Sequence, residues 1–204
     1  MIVMLKGYFT ADLVEAGCDE SGRGCLAGPV AAAAVILPAG YSNPLLNDSK
    51  QLTASDRDKM RQEIENSALS WAVGYADNNE IDRINILQAS ILAMHRALSG
   101  LIVRPSHILV DGNYFTPFNN IRHTCIIKGD SIYSSIAAAS ILAKTHRDEL
   151  MMRLHDEFPL YGWASNKGYA TRLHATALQE YGPTSLHRKS FRLGNDQLEL
   201  KFKD

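Results

Sequence analysis

The alternation of apolar and polar segments along the chain predicts a β-sheet whose first strands precede the main helices. Continuous apolar runs and period-two alternation are typical of strands, whereas apolar residues three to four apart are typical of amphipathic helices. The predicted strands are Leu13–Cys18, Val30–Leu37, Leu69–Tyr75, His107–Val110 and Thr124–Ile127. A segment rich in Pro, Asn, Ser and Gly, from Pro38 to Leu52, predicts a loop after the second strand.

Helical spacing predicts three main helices. The first is capped by Thr53 and runs to about Asn66, the second spans Asn85 to Leu101, and the third runs from about Ser131 to His155. Strands followed by alternating strands and helices predict the α/β class, with a mixed sheet flanked by helices. We expect a single domain over residues 1–204, whose C-terminal part, residues 159–204, is helical and broken by Gly and Pro.

Composition excludes several classes of protein. With 46% hydrophobic and 21% charged residues, the chain is neither disordered nor a coiled coil. No apolar run reaches the roughly 18 residues of a membrane span, and the N-terminal residues lack the features of a secretory signal. The chain has three cysteines, an odd number without the spacing of a metal finger, which favours reduced thiols. We therefore expect a cytoplasmic protein that does not enter a membrane.

Four acidic residues follow predicted strands or begin turns. Asp19 and Glu20 follow the first strand, Asp111 follows the fourth, and Asp130 lies between the fifth strand and the third helix. Functional groups collect at such strand ends in α/β sheets, and clustered carboxylates need cations such as Mg²⁺ or Mn²⁺. Spacing alone does not show that the acids meet, so ordinary turns and a solvated strand edge remain the alternative.

Two further features suit a phosphate-containing ligand. Gly22-Arg23-Gly24 follows the first acid pair, and glycines let backbone amides approach a ligand, although a simple tight turn fits equally. The net charge of −1 conceals a basic tract of about +4 from Ser165 to Arg192, with His174 and His187 as inducible charges and with interleaved aromatic residues. Cations with aromatic rings are typical of nucleic-acid binding, but also of an ordinary charged surface.

The chain resembles the type 2 ribonuclease H family, and specifically bacterial ribonuclease HII. The resemblance covers about residues 12–193 and follows the family order. The segments that carry it are GCDESGRGCLAGPVAAAAVI, LNDSKQLT, EIDRINILQASILAM, ILVDGN, KGDSIYSSIAAASILAKTHRD, YGWASNKGYATRLHATAL and GPTSLHRKSF. Ser21 and Cys25 stand where the family more often has alanine and proline.

The resemblance implies a ribonuclease H-like fold and hydrolysis of the RNA strand of RNA–DNA hybrids. It also implies incision 5′ to single ribonucleotides embedded in duplex DNA, leaving 3′-hydroxyl and 5′-phosphate ends, with two divalent ions, Mg²⁺ or Mn²⁺. By the family motifs, Asp19, Glu20, Asp111 and Asp130 would be the catalytic metal ligands. Gly22, Arg23 and Gly24 would read the 2′-hydroxyl, and Tyr169 would stack on the following deoxyribose. Further expected contacts to the nucleic-acid backbone are Lys50, Asn113, Lys144, Arg147, Asn166, Lys167 and Arg188.

Three alternatives stay open at the level of sequence. Ribonuclease HIII is a close relative, but it usually has an added N-terminal domain. Because the acid pair of the family motif begins at residue 19, we expect no such domain here and favour the HII type. A non-catalytic nucleic-acid-binding module would explain the basic tract but not the four acids. A phosphatase for small phosphate esters would explain the acids but not the tract. We expect a monomer whose partners are RNA–DNA hybrids and DNA duplexes containing ribonucleotides.

Overall fold

A five-stranded sheet forms the centre of the computed structural model, which describes residues 4–46 and 52–191. The strands are β1 (Glu15–Ser21), β2 (Val30–Ile36), β3 (Ser70–Ala76), β4 (His107–Asp111) and β5 (Arg122–Ile126). Their spatial order is β3-β2-β1-β4-β5. The pairs β1–β2 and β2–β3 are antiparallel, and the pairs β1–β4 and β4–β5 are parallel. The predicted mixed sheet is confirmed.

The helices match the predicted ones in number and order up to the C-terminal part. They are α1 (Ala54–Ser67), α2 (Asn78–Ser99), α3 (Ser134–Glu157), α4 (Trp163–Asn166) and α5 (Arg172–Tyr181). Thr53 caps α1 as predicted, since its hydroxyl accepts the backbone N–H of Asp56 at 3.1 Å. Helix α2 begins before the predicted Asn85, because Asp77 and Glu80 form a capping box there.

The sequence placed the start of α2 too late because the helix is interrupted at Asn85. This residue has a φ of 66° and divides the helix at a kink. Its side-chain oxygen accepts the N–H groups of Leu87 and Gln88 at 3.0 and 3.2 Å. Asn85 therefore acts as an N-cap for the second half of α2, which is the half whose apolar spacing is regular in the sequence.

Helices cover both faces of the sheet. Helix α2 packs against β2 and β3 on one face, and α3 packs against β1 and β2 on the other, with α1 beside it. Small residues permit this close approach. A Cβ added at Gly17 would lie 2.1 Å from the backbone of Ser135, and one at Gly74 would lie 2.3 Å from the carbonyl oxygen of Ala93. The small-residue run Ser134–Ser140 in α3 is thus explained by packing.

The C-terminal part is joined to the connection between β1 and β2. The N–H of Leu26 donates to Gly168 O, and the N–H of Arg188 donates to Leu26 O, both at 2.8 Å. The predicted helical character is confirmed as far as Tyr181, the end of α5, and residues 192–204 lie outside the described residues. In the described part of the chain, no helix has both the length and the apolarity required to cross a membrane.

Candidate active site and nucleic-acid interface

Three carboxylates converge where β1 and β4 approach their carboxyl ends. The parallel pairing of Cys18 with Val110 places the following residues, Asp19 and Asp111, side by side. Asp130 lies in a short 3₁₀ turn just before α3. One carboxylate oxygen of each of the three lies within 4.8 Å of the other two. The predicted convergence is confirmed for these three residues, which we call the acid triad.

The acid triad holds negative charge in a buried place. Asp19 is 5% exposed. Burial raises the pKa of Asp19, and the charges of Glu20 and Asp111 raise it further, although hydrogen bonds from Ser140 and from the Glu20 N–H lower it. Asp111 Oδ1 accepts the N–H of Gly129 at 2.7 Å, which ties the end of β4 to the turn carrying Asp130. Close carboxylates in such a place are stable together when a proton or a cation offsets their repulsion.

Glu20 is not one of the three acids whose carboxylate oxygens lie within 4.8 Å of one another. Its Oε1 accepts a hydrogen bond from Arg23 Nη1 at 3.0 Å. Burial raises the pKa of Glu20, and the Arg23 guanidinium lowers it. The prediction placed both acids after a strand ending at Cys18, but β1 continues to Ser21. Neighbouring residues of a strand face opposite sides of the sheet, yet Glu20 remains near enough that its charge raises the pKa of Asp19 and the charge of Asp111 raises its own. A role for Glu20 as a fourth metal ligand stays a prediction.

Gly22-Arg23-Gly24 forms a tight turn directly after β1. The N–H of Cys25 donates to Gly22 O at 3.3 Å and closes the turn. Gly22 has a φ of 93°, and a Cβ there would lie 2.0 Å from Arg147 Nε, so glycine is required at this position. Arg23 and Gly24 are exposed, and the space beside the Cα of Gly24 is open. The turn therefore presents backbone at the surface next to the acid triad.

Two fully buried arginines support this turn from below. Arg147 of α3 donates from Nε to Pro29 O at 2.9 Å, from Nη1 to Lys167 O at 2.9 Å and from Nη2 to Ala27 O at 3.2 Å. Arg188 donates from Nε to Gly28 O at 3.0 Å, and from Nη1 and Nη2 to Arg23 O and Gly22 O at 2.8 Å. Burial lowers the pKa of Arg188 to about 10.

These contacts change the interpretation of both arginines. The sequence predicted direct contacts to the nucleic-acid backbone, but each side chain is 0% exposed. Three nitrogens of each guanidinium already donate to protein carbonyls, as given above. Neither charge is presented at the surface, so the structure assigns Arg147 and Arg188 a role inside the protein.

Tyr169 lies beside the glycine turn. Its backbone forms an antiparallel bridge with Cys25, and its side chain is 38% exposed. The cationic groups of Lys144 and Arg147 lie 5.8 and 5.9 Å from the centre of its ring. Lys144 also forms the predicted pair with Asp148, at 2.7 Å. The fold thus brings together three features predicted separately, namely the acid triad, the turn and the tyrosine.

The remaining predicted contacts differ in their exposure. Asn166 is buried, and its amide group donates to Tyr161 O and accepts the N–H of Gly168, both at 2.8 Å, so it shapes the chain before Tyr169 rather than facing solvent. Lys167 is partly exposed, and its ammonium contacts Ala164 O. Asn113 is exposed two residues after Asp111. Lys50 lies outside the described residues.

A buried histidine pair is the feature that sequence analysis misjudged. His174 and His187 were expected to add inducible charge, but both are 0% exposed and their Nε2 atoms are 3.0 Å apart. His187 Nδ1 accepts the N–H of Thr184, so its Nε2 carries the hydrogen and donates to His174. His174 Nδ1 then donates to Tyr169 O at 3.0 Å. Burial lowers the pKa of both histidines from 6.5, and that of His187 to about 3. Both rings are therefore neutral at pH 7.

Comparison with known proteins agrees with this geometry. The family model described as ribonuclease HII matches residues 16–193. A ribonuclease HII from Bacteroides thetaiotaomicron is 60% identical over 200 residues, which cover 98% of this chain and 100% of the relative. A solved ribonuclease HII from Archaeoglobus fulgidus, in complex with PCNA, is 26% identical with a TM-score of 0.72, and the match covers 91% of this chain and 98% of that one.

A more distant structure, Bst-RNase HIII in complex with Mn²⁺, shares the fold with 23% identity and a TM-score of 0.64. The match covers 81% of this chain but 64% of that one, which agrees with an extra part in the HIII type. The residues matched by the family model contain the acid triad, the glycine turn and Tyr169. The chain therefore belongs to the ribonuclease HII family, whose members are metal-dependent endonucleases of the ribonuclease H type that act on RNA–DNA hybrids.

Proposed function

We propose that this enzyme also incises duplex DNA 5′ to a single embedded ribonucleotide, leaving 3′-hydroxyl and 5′-phosphate ends. One observation carries the proposal: the exposed glycine turn begins three residues after Asp19 of the acid triad, and Tyr169 pairs through its backbone with Cys25, the residue directly after the turn. The 2′-hydroxyl is the group by which a protein distinguishes RNA from DNA. A site that reads one 2′-hydroxyl beside its cleavage centre suits a junction between a ribonucleotide and DNA.

The acid triad fits a pair of divalent cations, Mg²⁺ or Mn²⁺. Its donors are carboxylate oxygens, which these hard cations prefer, and they lie within 4.8 Å of one another. When bound, two such ions activate a water molecule and stabilise the leaving oxygen of a phosphodiester. Asp19, Asp111 and Asp130 would hold them, and Glu20 would join as a fourth ligand once its carboxylate leaves Arg23.

The residues around the acid triad would hold the nucleic acid. The backbone of Gly22, Arg23 and Gly24 reads the 2′-hydroxyl, and the Tyr169 ring stacks on the deoxyribose that follows. This stacking disfavours a second 2′-hydroxyl at that position. The groups proposed to contact phosphates are Lys144, Lys167 and Asn113 and, outside the described residues, Lys50.

The deciding experiment uses three duplexes of one sequence: DNA with one ribonucleotide, all-DNA, and an RNA–DNA hybrid. With Mg²⁺ or Mn²⁺ we expect a nick 5′ to the ribonucleotide and cleavage of the hybrid, with the all-DNA duplex intact. Chelation of the metal should stop both reactions. Equal cleavage of the all-DNA duplex, or cleavage of the hybrid without any nick at the ribonucleotide, contradicts the proposal.

The role of Tyr169 is tested with a pair of variants. Tyr169→Ala should reduce the preference for a ribonucleotide followed by DNA over an all-RNA strand, because the stacked ring is lost. Stacking of this kind is worth about 1–3 kcal/mol. Tyr169→Phe keeps the ring and should keep the preference. If Tyr169→Ala cleaves both substrates in the wild-type ratio, the ring does not read the following sugar.

A further inference from the structure

The glycine turn is fixed by a guanidinium that lies beneath it. Arg188 Nη1 donates to Arg23 O and Nη2 donates to Gly22 O, each at 2.8 Å. Arg188 is itself fixed, because its Nε donates to Gly28 O at 3.0 Å and its backbone N–H donates to Leu26 O at 2.8 Å. A planar guanidinium presents its donors in a rigid fork, so two successive carbonyls of the turn are held in one orientation.

Holding these carbonyls determines where the amides of the turn point. The chain has no cis peptide bond in its described residues, and in a trans peptide the C=O and N–H point in opposite directions. Gly22 O shares its peptide with the N–H of Arg23, and Arg23 O shares its peptide with the N–H of Gly24. Because Arg188 directs both oxygens inward, both N–H groups face away from the protein interior.

The two N–H groups are available to a ligand. Arg23 and Gly24 are exposed, and a Cβ added at Gly24 would meet no atom within 4 Å. Neither N–H donates a hydrogen bond to another residue within the described ranges 4–46 and 52–191. Adjacent outward N–H groups in a turn form a concave site for an oxygen-bearing group. A 2′-hydroxyl or a phosphate oxygen has the required acceptor.

We infer that Arg188 is a positioning residue for ribonucleotide recognition, which orients the amides of Arg23 and Gly24 toward the substrate by holding the carbonyls of Gly22 and Arg23. The inference rests on the proposed function, since it concerns how the 2′-hydroxyl is read. It assigns to Arg188 no contact with the nucleic acid. The specificity of the turn then depends on a side chain more than 160 residues away in sequence.

The test compares Arg188→Lys with Ile64→Ala. Both change a fully buried side chain, but Ile64 lies in α1, which carries none of the residues assigned to the site, whereas Arg188 holds Gly22 and Arg23. Truncation of a buried isoleucine lowers the free energy of unfolding. The measured quantities are KM and kcat for the duplex with one ribonucleotide, and Ki for an all-DNA duplex of the same sequence as competitor. Thermal melting of each variant sets the assay temperature below its transition.

For Arg188→Lys we expect the ratio of Ki to KM to fall about tenfold, a loss comparable to one hydrogen bond, while Ki stays near the wild-type value. For Ile64→Ala we expect a drop in Tm with the ratio retained. A fall of the ratio in both variants in proportion to their loss of stability would show a general structural effect and overturn the inference. A wild-type ratio in Arg188→Lys would overturn it too.

An NMR measurement decides the question if Arg188→Lys does not fold. In the Asp111→Asn protein, which is expected to bind without cleaving, the amide signals of Arg23 and Gly24 should shift more on addition of the ribonucleotide duplex than of the all-DNA duplex. Equal shifts would contradict the inference. If the wild-type enzyme makes no nick at a ribonucleotide, the proposed function fails; if it does and the amides do not respond, only the inference fails.

Discussion

The molecule buries charge in two adjoining regions and neutralises it in opposite ways. In the acid triad, three carboxylates lie within 4.8 Å of one another and repel. Beneath the glycine turn, the guanidiniums of Arg147 and Arg188 are fully buried, and each donates to three backbone carbonyls. In the first region like charges face one another, whereas in the second each charge is satisfied by backbone carbonyls.

This difference separates a ligand site from a scaffold. A buried charge with internal hydrogen bonds stabilises the fold around it, and its removal leaves unsatisfied carbonyls. Buried like charges without such compensation destabilise the protein until a counter-ion arrives. We therefore expect substitutions in the two regions to have opposite effects on stability and different effects on activity.

The largest expected effect concerns activity in the acid triad. Asp19→Asn or Asp111→Asn should lower the cleavage rate at least about a thousandfold, since positioned cations contribute several kcal/mol to such reactions. Without metal, the melting temperature should stay the same or rise, because one repelling charge is removed while asparagine keeps an acceptor oxygen. Wild-type protein should melt higher on addition of Mn²⁺, and the variants should respond less. A large loss of Tm in metal-free buffer would make these acids structural.

Substitution of a buried arginine should instead lower the stability of the protein. Arg147→Met leaves the carbonyls of Pro29, Lys167 and Ala27 without their donor, which should lower the free energy of unfolding by about 3 kcal/mol. Arg153→Met, at an exposed position of the same helix, should change it by no more than about 0.5 kcal/mol. Urea denaturation measures both values. Equal stability of the two variants would remove the distinction between the regions.

A smaller effect of pH sharpens the same contrast at the histidine pair. Burial lowers the pKa of His187 from 6.5 to about 3. The unfolded chain binds a proton at this residue below about pH 6.5, but the folded protein does so only near pH 3, so stability falls as the pH falls through this window. Between pH 7 and pH 5 the loss should be about 2 kcal/mol. His187→Asn should show a smaller decrease, measured by urea denaturation at both pH values; an unchanged decrease would assign the pH dependence to other groups.

The smallest effect is expected at an ion pair with access to water. Glu80 accepts two hydrogen bonds from Arg96 at 2.7 Å, and these bonds lower the pKa of Glu80 to about 2. In Glu80→Gln the side chain still completes the capping box at the start of α2, because glutamine suits that position as well as glutamate, but its charge is removed. We expect the free energy of unfolding to fall by about 0.5 kcal/mol at pH 7. The contribution should be present above about pH 4.5 and disappear as the pH falls toward 2. A loss as large as that of Arg147→Met would show that water access does not weaken this pair.

Local signals in the sequence predicted much of the fold. The apolar run of β2, the cap at Thr53 and the pair of Lys144 with Asp148 depend on residues close in sequence, and all three are confirmed. The position of acids at one edge of the sheet was predictable because parallel strands place their carboxyl ends there, although spacing alone did not show that three of them meet. These predictions need only the period of a strand or helix and the direction of neighbouring strands.

The sequence predictions failed where a side chain's partner is distant in sequence. Arg188 resembles a surface cation in a basic tract, and nothing nearby shows that residues 22, 23 and 28 occupy its donors. Asn166 is similar, since only the fold encloses it. The end of β1 was misplaced for a different reason: the strand ends three residues later than predicted, so Asp19 and Glu20 lie within it rather than after it.

The sequence by itself determined the class of fold, the family and the residue types available for chemistry, because these depend on local patterns and on ordered motifs. The tertiary structure decided which of the predicted groups face substrate and which support the protein. It brought Asp19, Asp111 and Asp130 within 4.8 Å of one another and enclosed Arg147, Arg188 and the histidine pair. The physical reason is that exposure and hydrogen-bond partners follow from the packing of distant segments, and residue type does not fix them.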